Sequence, residues 1–202
     1  LAGGTVLSHA GRQGHERQAG PHCRCLSGRE CPVVHLDAVA DERGDGQAKP
    51  DGSDLQRLTN HDGYDAEGTM SPDGEWLVFT SKRENDVDLY KMRMDGTGLT
   101  RLTDQPGYDG GAFFSHDGKQ LVWRTFRTTD STALATFRGL LAQDLVKPSK
   151  MDLWVMNADG TNKRQITHLG AASFAPFIQP DNKHLIFATN YGDPKGRNFD
   201  LY

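Results

Sequence analysis

The first 50 residues of this 202-residue chain contain no Phe, Tyr, Trp, Ile or Met, and all nine Phe, five Tyr and three Trp lie beyond them. Without large apolar side chains, burial cannot offset a backbone entropy of roughly 1–2 kcal/mol per residue. Residues 1–50 are therefore expected to be disordered, with 33–39 at most a short strand, or else to be text translated out of frame. Long apolar runs are missing too. None approaches the roughly 20 residues of a membrane-spanning helix, and the longest are strand-sized, such as Trp76–Phe79. No excess of basic charge exists, since 23 Lys and Arg stand against 27 Asp and Glu. That balance gives no footprint for nucleic acid. The chain opens on Leu1 with no secretory leader pattern, which predicts a fragment or a processed product.

Cysteine is scarce, and all three lie in "HCRCLSGRECPVVH", His22 to His35. The Cys-x-Cys pair followed by a lone Cys departs from the paired spacing of zinc sites, so neither a metal nor a disulfide is assigned. Catalytic text is also absent: there is no G-x-S-x-G elbow, no H-E-x-x-H and no phosphate-binding loop. His61, His116, His168 and His184 are scattered. Nothing assembles an acid, a base and a nucleophile; no catalytic residue and no cofactor is expected.

What is present is repetition. "YDAEGTMSPDGEWLVFTS" from Tyr64 returns 44 positions on as "YDGGAFFSHDGKQLVWRT" from Tyr108. "DLYKMRMDGTGLTRLT" at 88–103 returns as "DLWVMNADGTNKRQIT" at 152–167, and "DGSDLQRLT" at 51–59 is the tail of an earlier copy. A period of 40–50 residues marks solenoids or propellers. Each copy reads as four short strands. Pro72-Asp73-Gly74 is a tight turn, since Pro presets φ and Gly accepts φ > 0. In the next strand Trp76, Val78 and Thr80 share one face and Leu77 and Phe79 the other, which suits a sheet covered on both sides. Four antiparallel strands per copy describe a propeller blade, which must stack on its neighbours.

These residues, "SPDG…LVFTS…DLY…DGTG…RLT", resemble the WD40-like propeller repeat of TolB-type proteins, in which Pro-Asp-Gly replaces the Trp-Asp signature. The resemblance covers 51–202. The expected fold class is all-β: a partial propeller with two complete blades at 64–103 and 108–167, a truncated one at 172–202, and further blades missing from this chain.

Strand topology places the Pro-Asp-Gly and Asp-Gly-Thr turns at one end. The opposite end carries the irregular loops, where binding tends to sit. Tyr64, Asp65, Tyr108 and Asp109 are expected near the channel, with Arg83, Arg124, Asp193 and Arg197 as neighbours; structural capping and packing is the competing role. In 126–150, apolar residues at 134, 137, 141 and 145 form one helical face, started by Asp130 or Ser131 and ended by Lys147-Pro148. This helix is either a lid over the channel mouth or a cover for its own blade.

The resemblance implies a non-catalytic scaffold that binds a protein or peptide partner, periplasmic or secreted. Its alternative is a substrate-gating propeller of a prolyl-oligopeptidase-like or zinc aminopeptidase, with the catalytic domain outside this chain.

Overall fold

The computed structural model describes residues 5–6, 33–35, 45–147 and 150–202. The cysteine cluster at 23–31 lies outside them. β1 (Thr5–Val6) comes first, and β2 (Val33–His35) pairs antiparallel with β3 (Gly46–Ala48), which pairs with β4 (Gln56–Arg57). The first complete sheet follows in the order β5 (Asp65–Met70), β6 (Trp76–Ser81), β7 (Asp88–Arg93) and β8 (Thr100–Arg101). The second begins with β9 (Gly107–Phe114) and β10 (Gln120–Arg127). The chain then detours through helix α1 (Ser131–Leu141) and β11 (Leu145–Val146), which pairs with β1. It returns for β12 (Asp152–Asn157) and β13 (Arg164–Gln165), completing a four-stranded sheet. The last sheet is β14 (Ser173–Ile178), β15 (Leu185–Thr189) and β16 (Asp200–Leu201). This is a partial, unclosed propeller: β5 packs on β9 and β9 on β14, so the first strand of each sheet is innermost.

The repeated text makes repeated hairpins. Ser71 Oγ donates to Asp73 Oδ1 at 2.5 Å and accepts from Trp76 N at 2.9 Å, while Gly74 adopts φ +77°. Ser115, Asp117 and Gly118 do the same one copy on. In the other turn, Asp95 Oδ1 accepts from Thr97 N at 2.9 Å, as Asp159 does from Thr161 and Asp51 from Ser53. The two turn types meet at one end, where Met94 N donates to Glu75 O and Ala158 N to Lys119 O. β3, at the end of the segment expected to be disordered, pairs with β4 in the same hairpin, built from small and polar residues. Backbone bonds, rather than large side chains, define it.

Both faces of the strands are used. Val78 and Leu89 meet Ala112, Phe114, Leu121 and Trp123 between the first and second complete sheets. On the opposite face, Leu77, Phe79, Tyr90 and Met92 pack with Leu58. Adjacent sheets are also joined by single parallel bridges, Val87 to Tyr108 and Met151 to Ala172.

The helix is shorter than its apolar period predicts. Asp130 caps it, accepting from Thr132 N at 2.8 Å. It stops at Leu141; Asp144 takes φ +57°, and Leu145 enters β11 instead of extending the helical face. Pro148 lies outside the described residues.

Candidate functional site

Each innermost strand carries a bulge. The register with the second strand shifts between Ala66 and Thr69, opposite Val122 and Arg124, and between Phe174 and Phe177. At each bulge one residue has left-handed backbone: Glu67 at φ +58°, Gly111 at +60° and Ala175 at +48°. For Glu and Ala this costs roughly 1–2 kcal/mol, and bulges of this kind re-aim side chains.

The bulge turns Glu67 toward the second sheet, where Arg124 Nη2 donates to Glu67 Oε1. The same Nη2 donates to Tyr108 Oη at 2.8 Å, and Glu67 Oε2 accepts from Thr80 Oγ1 at 2.9 Å and from Tyr108 Oη at 3.4 Å. The guanidinium carbon lies 5.5 Å from the Tyr108 ring centre and 5.6 Å from that of Phe174. One arginine therefore touches Glu67 of the first complete sheet, Tyr108 of the second and Phe174 of the third. Burial, then the nearby Glu67 carboxylate, push the Tyr108 hydroxyl well above its ordinary range, so it stays protonated and keeps its donor. Burial works against the Arg124 charge, but the Glu67 carboxylate and the hydrogen bonds to Glu67 and Tyr108 outweigh it and raise its pKa.

The glycine pair in "GYDGGAFF" makes room for this cluster. A Cβ on Gly111 would lie 1.9 Å from Arg124 Nη1, and one on Gly110 would lie 2.6 Å from Tyr108 Oη.

Beside Arg124 is a cavity of ≈ 290 Å³ whose lining includes Tyr64, Glu67, Lys82, Tyr108 and Phe174. A second, of ≈ 380 Å³, shares Tyr108, Val146 and Met151 with it and runs beneath α1 along Phe126, Phe137 and Leu140. The helix packs on its own sheet through Phe137 and Leu141, against Tyr108, Phe126 and Met151. It is also tied to the preceding sheet, because Lys82 Nζ donates to Leu141 O and to Asp144 Oδ1, both at 2.7 Å. It thus covers its own blade and walls the cavity at once.

Of the residues expected at the channel, Tyr64, Tyr108 and Arg124 line the cavity. Asp65 and Asp109 serve as ties between the first two strands of a sheet. Asp65 accepts from Ser81 Oγ at 2.5 Å and from Arg83 Nη2 at 2.9 Å. Asp109 accepts from Trp123 Nε1 at 2.7 Å, and Arg127, one period after Arg83, supplies the matching Nη2 at 2.9 Å. Burial pushes the Asp109 carboxyl up. Asp193 holds its own loop, accepting from the backbone of Lys195, Arg197 and Asn198. Neither it nor Arg197 lines the cavity. Glu67, Lys82 and Phe174 escape sequence reasoning. The one available signal for Glu67 is that a carboxylate stands where the next copy has Gly111.

Among the described residues no group of three or more His, Cys, Asp and Glu converges as a metal site, and no helix is long and apolar enough to cross a membrane.

No family model and no curated protein matches this chain. Solved structures do. A TolB-type protein of Agrobacterium tumefaciens superposes with a TM-score of 0.55 at 21% identity, covering 69% of this chain and 45% of that one. TolB of Acinetobacter baumannii gives 0.56 at 18% identity, over 79% of this chain and 35% of the other. A puromycin-hydrolysing peptidase of Mycobacterium tuberculosis gives 0.57 at 12%, over 87% of this chain and 29% of that one. The fold is a TolB-like β-propeller. The chain spans less than half the length of either TolB structure.

Proposed function

We propose that this chain belongs to a non-catalytic propeller scaffold that binds a protein or peptide partner in the cavity beside Arg124. The observation that carries this reading is the Arg124 cluster: one charged side chain fixed by groups from three successive sheets, beside an open cavity, on strands whose backbone is strained at Glu67 and Ala175. Strain of this kind clusters at ligand sites. Tyr64, Tyr108 and Phe174 supply aromatic anchors of the sort that dominate interface energetics. The likeness to TolB supports the scaffold reading and a cell-envelope location with it.

A second reading, a substrate-gating propeller accessory to a peptidase, is favoured by the 87% coverage against the puromycin-hydrolysing peptidase. In both readings the cavity meets a peptide.

The test is retention. The immobilised chain is incubated with a random heptapeptide pool, and bound peptides are read by mass spectrometry. Enrichment over a Glu67→Gln/Arg124→Gln control is expected; equal recovery from both would sink the cavity as the site. Turnover of fluorogenic peptides by the chain would overturn the non-catalytic reading.

A further inference from the structure

We propose that the cavity beside Arg124 takes the free C-terminal carboxylate of a peptide whose last residue is apolar, with that side chain directed into the space beneath α1. The inference rests on the peptide-binding reading and narrows it.

Arg124 is fixed before any ligand arrives. Its Nη2 makes both the Glu67 and the Tyr108 bonds, and its guanidinium carbon lies within 5.6 Å of the ring centres of Tyr108 and Phe174. Nη1 takes no part in either bond and passes over Gly111, where the missing Cβ leaves it room. An arginine held this way offers a directed donor at little further entropic cost.

The hydrogen-bonding groups left over, not net charge, select the sign of the ligand, since Arg124 is paired with Glu67 and Lys82 with Asp144. Lys82 and Arg124 line the cavity with Glu67 as its only acid. Both Glu67 oxygens are already engaged, by Arg124 and by Thr80 and Tyr108, which leaves an incoming amine no carboxylate to meet. A carboxylate instead finds Nη1 of Arg124, while the Lys82 ammonium is already held by Leu141 O and Asp144 Oδ1. Beyond it, Phe126, Phe137 and Leu140 make the neighbouring space apolar. The two spaces, ≈ 290 and ≈ 380 Å³, lie toward the low end of the roughly 300–1,000 Å³ of ligand cavities. That size suits one terminal residue with its side chain.

The test uses the whole 202-residue chain and fluorescence anisotropy. Fluorescein-labelled hexapeptides ending in Ala, Leu or Phe are prepared as free acids and as C-terminal amides, and octanoate is the non-peptide arm. The acids are expected to bind at least about tenfold more tightly than the amides. Arg124→Gln is expected to bring the acids down to the amide level. Leu140→Trp, which narrows the apolar space and leaves the Arg124 cluster untouched, is expected to weaken Phe-ending acids and spare Ala-ending ones. Acid and amide binding equally would overturn the carboxylate assignment and leave the peptide-binding reading standing. Neither peptide binding would overturn both. Octanoate binding without any peptide would overturn the peptide as the source of the carboxylate.

Discussion

A single methyl group at Gly111 would meet both a forbidden backbone and an occupied space. The residue sits at φ +60°, and its Cβ would fall 1.9 Å from Arg124 Nη1. Gly111→Ala is expected to cost about 2 kcal/mol or more in urea unfolding and to displace the guanidinium. Gly118→Ala, at similar φ but with only Pro72 Cδ nearby at 3.7 Å, should show the backbone cost alone, about 1 kcal/mol. The buried ties behave differently. Asp109→Ala strands Arg127 in a half-buried position and is expected to cost roughly 3 kcal/mol. Asp88, which accepts from Thr103 Oγ1 at 3.0 Å and Arg101 Nη2 at 2.7 Å, is pushed by burial from 3.8 to about 6. The folded chain therefore holds this proton more tightly than the unfolded one. Its contribution to stability is complete below pH 3.8 and is lost as pH rises through about 6. A carboxyl NMR titration should place its midpoint near 6, and Asp88→Asn should flatten that part of the stability profile.

Helix α1 hangs on few supports, so it reports on its own attachments. Asp130→Ala is expected to cost the helix about 1 kcal/mol, and Lys82→Met to release its C-terminal end from the preceding sheet. Hydrogen exchange should then speed up in 131–141 while β5, β6, β9 and β10 keep their protection; uniform loosening would show that the helix is integral to the blade. How legible these elements are depends on what fixes them. The hairpins at 71–74 and 115–118 are readable because Ser, Asp and Gly perform the turn chemistry themselves. The helix start is readable for the same reason, since Asp130 is a side-chain cap. Its end is not, because Leu145 continues the apolar period while Asp144 turns the chain. β3 is illegible as a strand on composition, being Gly-Gln-Ala held by pairing. Glu67 is illegible as a site residue because a bulge breaks the two-residue alternation from which its direction would be read. Tyr64, Tyr108 and Arg124 could be placed from topology; the joining of Tyr108 and Arg124 through Glu67 and Phe174 could not.

Across the whole molecule, equivalent positions meet different surroundings. Val78 and Val122 are 0% exposed, while Ile186, the same position one copy later, is 40% exposed. No sheet packs on that outward face of β14–β16 among the described residues, and Phe177 and Leu201 share its exposure. Val122→Lys is therefore expected to destabilise the chain by several kcal/mol, whereas Ile186→Lys should stay within about 1 kcal/mol of the parent in the same denaturation series. The lone bridges Val87–Tyr108 and Met151–Ala172 carry a mechanical consequence. Backbone bonding is dense inside a sheet and sparse across each seam. Drawn out between two beads, such a polypeptide should surrender its modules one after another, giving a sawtooth of force in place of a single rupture.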